Sequence, residues 1–316
     1  MKYQLIAYTL LAAAVAGCAS RTSEDLYLKA RLEAEQGNLS SALAHLSGAI
    51  QQNPRLGMAF MARGDIYKEQ GNYEQAAADY SAAVKLEPYN FNANFQLGQV
   101  LQTLKRYAEA ITAYSRALES RPLDYEANMS LAMTYLQNGE PMSGLPFAQQ
   151  AKKINDKSPT AHANLGVIYA QIEYHSAAID EFKTSLELDS HQSEVYVDLA
   201  QEYFVDKKYD QACNVLETAG HLAPSAKVWD RLGFAYHMLR QEDKAASAFR
   251  EALKIDEKYY PSLNGLGVVA MSRAVSSNPV DVELAKQGIA YWTQSLEIHQ
   301  NQPQIQELVN KYTPRQ

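Results

Sequence analysis

The sequence predicts an all-α solenoid of about eight helical hairpins closed by a C-terminal helix. Three observations carry this. The stretch Phe60, Gly64, Tyr67, Gly71-Asn72, Ala76, Tyr80, Ala83, Pro88 alternates small and aromatic residues at helical spacing around a Gly-Asn turn. Residues equivalent to Gly64 recur at Ala30, Gly98, Ala132, Gly166, Ala200, Gly233 and Gly267, 34 residues apart except for one step of 33. No strand-like alternation interrupts them. One hairpin cannot bury its own apolar face, so each needs a copy beside it.

Two further slots keep the register. The Ala76 slot holds Ala42, Ala110, Gly144, Ala178, Ala212 and Ala245, and the Tyr80 slot holds Leu46, Tyr114, Phe182, Leu216 and Phe249, with Ala148 in the fourth repeat. A glycine inside a helix costs roughly 1 kcal/mol against alanine. Five glycines at one frame position therefore predict close approach of the paired helices.

These residues resemble the tetratricopeptide repeat family, over Leu26 to about Ile298. The resemblance implies a right-handed array with a concave groove, and a partner-binding scaffold used in many unrelated pathways.

Taken in order, residues 1–17 stand outside the repeats. Lys2 precedes a short apolar run from Leu5 to Ala16, which reads as a secretory leader. Its end, Val15-Ala16-Gly17-Cys18, resembles the lipobox of bacterial lipoproteins, which implies acylation of Cys18; the competing reading is an ordinary leader with an incidental cysteine. Several acyl chains, each methylene contributing about 0.8 kcal/mol, hold stably where one does not. By the sorting pattern of that family, Ala19 implies the outer membrane, with the protein facing the periplasm. Residues 18–24 form the tether, the repeats run over 25–302, and 303–316 make a capping helix and tail.

The first repeat carries Lys29 and Glu33 where later units are apolar, as suits an end repeat. Repeats two and three close with Pro88 and Pro122. In repeat four, Pro141 and Pro146 fall where the second helix should begin. Either Ser143 is the N-cap and Pro146 sits in the first turn, or the helix is distorted or shortened. Repeats five to seven are regular. The eighth places its second helix, marked by Trp292, Ser295 and Leu296, nine residues late, which predicts longer helices and a turn at Asn278-Pro279, within an insertion around 272–281. Ile305, Leu308, Val309 and Tyr312 form the stripe of the capping helix.

The net charge of −7 leaves −8 once a leader with Lys2 is removed. Basic residues are scattered among carboxylates, which disfavours nucleic acid as a partner. Cys213 is the only cysteine besides Cys18 and reads as a small core residue. Gly265-Leu266-Gly267-Val268-Val269-Ala270 fits a dinucleotide fingerprint, but no strand precedes it, and Gly267 is the small slot of repeat eight. The seven histidines occupy unrelated frame positions, so no metal site is expected. No cofactor and no catalytic constellation is predicted, and the chain reads as a non-enzyme.

Function then lies on a surface. The resemblance implies that residues three before and one after the small slot face the groove. The first lane reads Tyr27, Met61, Phe95, Met129, Ala163, Val197, Asp230, and the second Arg31, Asp65, Gln99, Met133, Val167, Gln201, Phe234. Tyr27, Met61, Phe95, Met129, Met133, Val197 and Phe234 are the candidate groove residues. Methionines and aromatics suit an extended or helical peptide; the competing reading is that they pack between helices. The expectation is a membrane-anchored adaptor for an envelope protein or peptide, serving the assembly of an envelope or pilus complex. The alternative is a self-associating structural lipoprotein.

Overall fold

A computed structural model describes residues 22–313, and the leader, Cys18 and most of the tether lie outside the described residues. Among the described residues there are seventeen helices and no strand. In the first unit they are α1 (Ser23–Glu35), α2 (Leu39–Gln52), α3 (Gly57–Glu69), α4 (Tyr73–Leu86), α5 (Phe91–Thr103), α6 (Tyr107–Ser120), α7 (Tyr125–Gln137) and α8 (Pro141–Ile154). The second holds α9 (Pro159–Gln171), α10 (His175–Leu188), α11 (Ser193–Val205), α12 (Tyr209–Leu222), α13 (Ala226–Met238), α14 (Glu242–Ile255), α15 (Tyr260–Ser276), α16 (Val282–Ile298) and α17 (Pro303–Tyr312). The division falls between Ile154 and Asn155. Within each unit successive helices pair as antiparallel hairpins, and each hairpin packs on the next.

One turn is used seven times. The second residue past the first helix of each of the first seven hairpins has positive φ: Gly37, Gly71, Lys105, Gly139, Glu173, Lys207 and Arg240. In repeat two the Gly71 N–H donates to the Lys68 carbonyl at 3.0 Å and the Asn72 N–H to the Tyr67 carbonyl at 2.8 Å. That double closure satisfies two carbonyls the helix end would leave open, and it requires a left-handed residue at its centre.

The small slots are set by what lies over them. A Cβ built on Gly64 would come within 2.9 Å of the Tyr80 ring, and on Gly166 within 2.7 Å of Phe182. Gly98 under Tyr114, Gly233 under Phe249 and Gly267 under Trp292 repeat the relationship. Where alanine fills the slot, as at Ala30, Ala132 and Ala200, the residue sixteen positions on is Leu46, Ala148 or Leu216. Glycine therefore marks the seams that carry a ring. The buried ring recovers in packing what glycine gives up in helix propensity.

Repeat four departs from the expected start. Its second helix, α8, begins at Pro141 rather than after Ser143, and it keeps fourteen residues with Pro146 inside. The first proline needs no hydrogen bond at a helix start, so the chain enters the helix in register with the other second helices, three residues before a Ser143 cap would have set it. With no ring at Ala148, the close approach moves to Gly144, whose Cβ would fall 2.7 Å from the Ala132 carbonyl oxygen. Tyr135 and Phe147 stack beside it, centroids 5.8 Å apart.

Repeat eight has the two longer helices expected, seventeen residues each, joined through a cis Asn278–Pro279 bond. Gly265 to Ala270 lie wholly inside α15, with Gly265 against Phe249 and Gly267 against Trp292. The glycine pattern is thus a packing feature. The stripe Ile305, Leu308, Val309, Tyr312 is the half-buried side of α17, and Tyr312 lies 6.2 Å from the Trp292 ring.

Candidate partner-binding surface

The first unit holds a concavity of about 620 Å³. Helix α1 contributes Tyr27, Arg31 and Glu35, and α3 contributes Met58, Met61, Asp65 and Glu69. These sit on one side of each helix because they are spaced three and four apart. Glu87 and Asn90, between α4 and α5, close one edge. The floor is apolar and the rim carries more carboxylates than cations. Arg31 is itself 3.6 Å from Glu35.

The ring-over-glycine seams feed this face. The Tyr80 ring passes over Gly64 and its hydroxyl donates to Asp65 Oδ1 at 2.7 Å. In the next repeat the Tyr114 hydroxyl donates to Gln102 Oε1 at 2.9 Å. Burial drives both phenols well above the ordinary tyrosine range, so they remain donors. Beyond Asp65 the surface turns polar. Lys68 Nζ donates to Gln96 and Gln99, each at 2.8 Å, and Gln102 donates to Gln137 at 2.8 Å.

The second unit holds a separate concavity of about 580 Å³ lined by Phe204, Arg231, Phe234, Met238 and Asn264 among others. Phe234, 46% exposed, meets Phe204 edge-on with centroids 5.6 Å apart. Arg231 donates to Gln201 at 2.8 Å, and Ser262 donates to Asp230 at 2.8 Å. Burial raises the Asp230 carboxyl above the usual carboxylate range, against the opposing effect of that hydroxyl.

Four models described as tetratricopeptide or TPR repeats match residues 64–105, 95–159, 159–192 and 226–259. This is a chain of tetratricopeptide repeats. The "BBSome complex member BBS4 homolog" of Drosophila melanogaster is 30% identical over 146 residues, 45% of this chain and 28% of that protein. The "Heat shock protein sti1 homolog" of Schizosaccharomyces pombe is 32% identical over 105 residues, 33% of this chain and 18% of that protein. The chain thus spans less than a third of the length of either relative. The solved structure of YrrB, described as "a TPR protein with an unusual peptide-binding site", superposes with TM-score 0.53 at 19% identity, covering 62% of this chain and 97% of that one. That likeness speaks for the fold. No catalytic family is among these matches.

Within the tetratricopeptide frame, the predicted groove residues take different places. Tyr27 and Met61 line the first concavity, and Phe234 lines the second. Phe95 is half-buried, stacked on Phe91 with centroids at 5.6 Å and tilted against Tyr114 at 5.7 Å. Met129 is 7% exposed, inside the packing of its unit. Met133 and Val197 are half-buried, and Val197 packs against the second unit's core. Met58, Phe204 and Met238 were outside the two lanes. Met238 stands one turn beyond Phe234, and extending the second lane by four residues would have found it.

Burial pushes the Cys213 thiol up to about 11, with Glu217 adding to the effect, so it stays protonated at neutral pH. Histidines pair singly with carboxylates, as His162 with Glu181 at 2.6 Å and His175 with Glu202 at 2.7 Å. Among the described residues no cluster of three or more potential ligands could hold a metal ion, and no helix is long and apolar enough to cross a membrane.

Proposed function

We propose that this chain is a non-catalytic scaffold, anchored to an envelope membrane through lipid on Cys18, that holds an extended or helical segment of a partner protein. The observation that carries the reading is the first concavity, where Tyr27, Met58 and Met61 make an apolar floor ringed by Arg31, Glu35, Asp65 and Glu69. Methionine adapts to varied apolar side chains, and the polar rim can meet a peptide backbone. The peptide-binding site named for YrrB supports the same use of this fold. A role in assembling an envelope complex, from the outer membrane facing the periplasm, belongs to the proposal.

The experiment places a photo-crosslinking residue at Met61 in native membranes, with the same residue at exposed Glu119 as reference. An adduct with one partner at 61, absent at 119 and lost in a folded Met58→Glu variant, is the expected result. An adduct that survives Met58→Glu overturns the groove. Separately, Cys18→Ser should abolish labelling with palmitate, and labelling that persists would rule out the anchor.

A further inference from the structure

Helix α1 exposes a face that later repeats keep covered. Leu32 stands two residues after the small slot. In the repeats that follow another within the same unit, this position is Ile66, Val100 and Thr134, then Glu202, Ala235 and Val269, all buried. Leu32 is 56% exposed and Leu28, one turn earlier, 63%. The far end of the second unit is finished differently. There α17 turns its apolar stripe inward and leaves Gln304, Gln306, Glu307, Asn310 and Lys311 to solvent.

We infer that the Leu28–Leu32 face of α1 rests on the lipid bilayer. This builds on the acylation of Cys18 proposed above and asks a separate question, namely which surface meets the lipid. Reach allows it. Ser23 lies five residues from Cys18, at most about 18 Å extended, and Leu28 and Leu32 follow about 8 and 14 Å along the helix.

The chemistry fits an interfacial helix. The two leucines can enter the boundary between headgroups and acyl chains at one end of a helix that is otherwise polar, a shallow contact that relies on the neighbouring anchor. Lys29 flanks them on a long apolar stem that carries a charge outward to phosphate, while Arg31 belongs to the rim of the concavity. Lys29, 40% exposed, has only a loose pair at 3.7 Å with Glu33, whose carboxylate is 16% exposed and held by His45 at 2.7 Å, so the lysine is free to turn outward. Exposed Glu24, Asp25 and Glu35 leave no excess of positive charge, so the face matches zwitterionic headgroups rather than anionic ones. A second copy is a poorer occupant. Stable protein interfaces bury about 1,200–2,000 Å², and two leucines beside three carboxylates fall far short.

The test uses the acylated full-length chain, Cys213→Ala, in phosphatidylcholine/phosphatidylethanolamine vesicles, with a fluorophore on Leu32→Cys or, as reference, on Leu123→Cys. Leu123 is 70% exposed. The expected result is quenching at 32 by nitroxide-bearing lipid and several-fold shielding from iodide, with neither at 123. Equal access of iodide to both sites in vesicles that carry the protein overturns the orientation and leaves the anchor standing. Shielding at 32 that needs no vesicles and grows with protein concentration assigns the face to a second copy and overturns it too. A chain that fails to float with vesicles and has an unmodified Cys18 overturns the anchor, and this inference with it.

Discussion

The Cβ that Gly98 lacks would lie 2.6 Å from both Cδ1 and Cε1 of Tyr114, whose side chain is fully buried. The ring is held from behind by its hydroxyl bond to Gln102. It has nowhere to retreat.

Gly98→Ala should therefore destabilise by about 1–3 kcal/mol through overpacking, although alanine is the better helix former by roughly 1 kcal/mol. Tyr114→Leu in the same chain should restore much of the loss, because Ala30 with Leu46 and Ala200 with Leu216 already form that pair. Urea midpoints of both single variants and the double variant check this. Additive losses would show that the seam is not the cause.

Glu173 holds the left-handed position of its turn at φ 63°. A side chain there costs about 1–2 kcal/mol, so Glu173→Gly should raise the thermal midpoint. The reverse change, Gly71→Ala, should lower it, and a Cβ at 71 would meet nothing within 4 Å. The whole loss would then come from backbone conformation.

Pro146 is the sixth residue of α8 and leaves the Met142 carbonyl without its usual donor. Pro146→Ala should stabilise the first unit by about 1–3 kcal/mol. Hydrogen exchange at the new amide of residue 146 reports directly on the bond. An unprotected amide there would mean that the helix start stays open for another reason.

Burial, with Glu194 adding to it, raises the Asp198 carboxyl above its ordinary value. The folded state then holds that proton more tightly than the unfolded one, so stability falls as pH rises from the ordinary aspartate value of about 4 through the raised one. Asp198→Asn should raise the urea midpoint at pH 7 and leave it nearly unchanged at pH 3. The same gain at both values would point to packing instead.

The period, the hairpins, the late second helix of repeat eight and the Ile305–Tyr312 stripe could all be read from the sequence, because each depends on spacing along one helix. The turn residues Lys105, Glu173, Lys207 and Arg240 gave no local signal. Only their register with Gly37, Gly71 and Gly139 marks them. The candidate surface was read less well, since exposure depends on neighbours. Phe95 and Phe234 are both phenylalanines in groove lanes, yet Phe95 is sandwiched by Phe91 and Tyr114 while Phe234 stands at an open edge.

At the five small-slot seams, from Gly64 under Tyr80 to Gly267 under Trp292, ring and glycine belong to the same hairpin, so a crossover that exchanges whole hairpins between repeats carries those partners together, Gly265 against Phe249 being a seam between two hairpins. A breakpoint inside a hairpin would set a ring over an alanine or a leucine over a glycine, leaving a clash or a hole. Duplication and shuffling of this gene are thereby channelled to the short connections such as Glu87–Asn90, and lineages that lengthen or shorten the array should do so in complete hairpins.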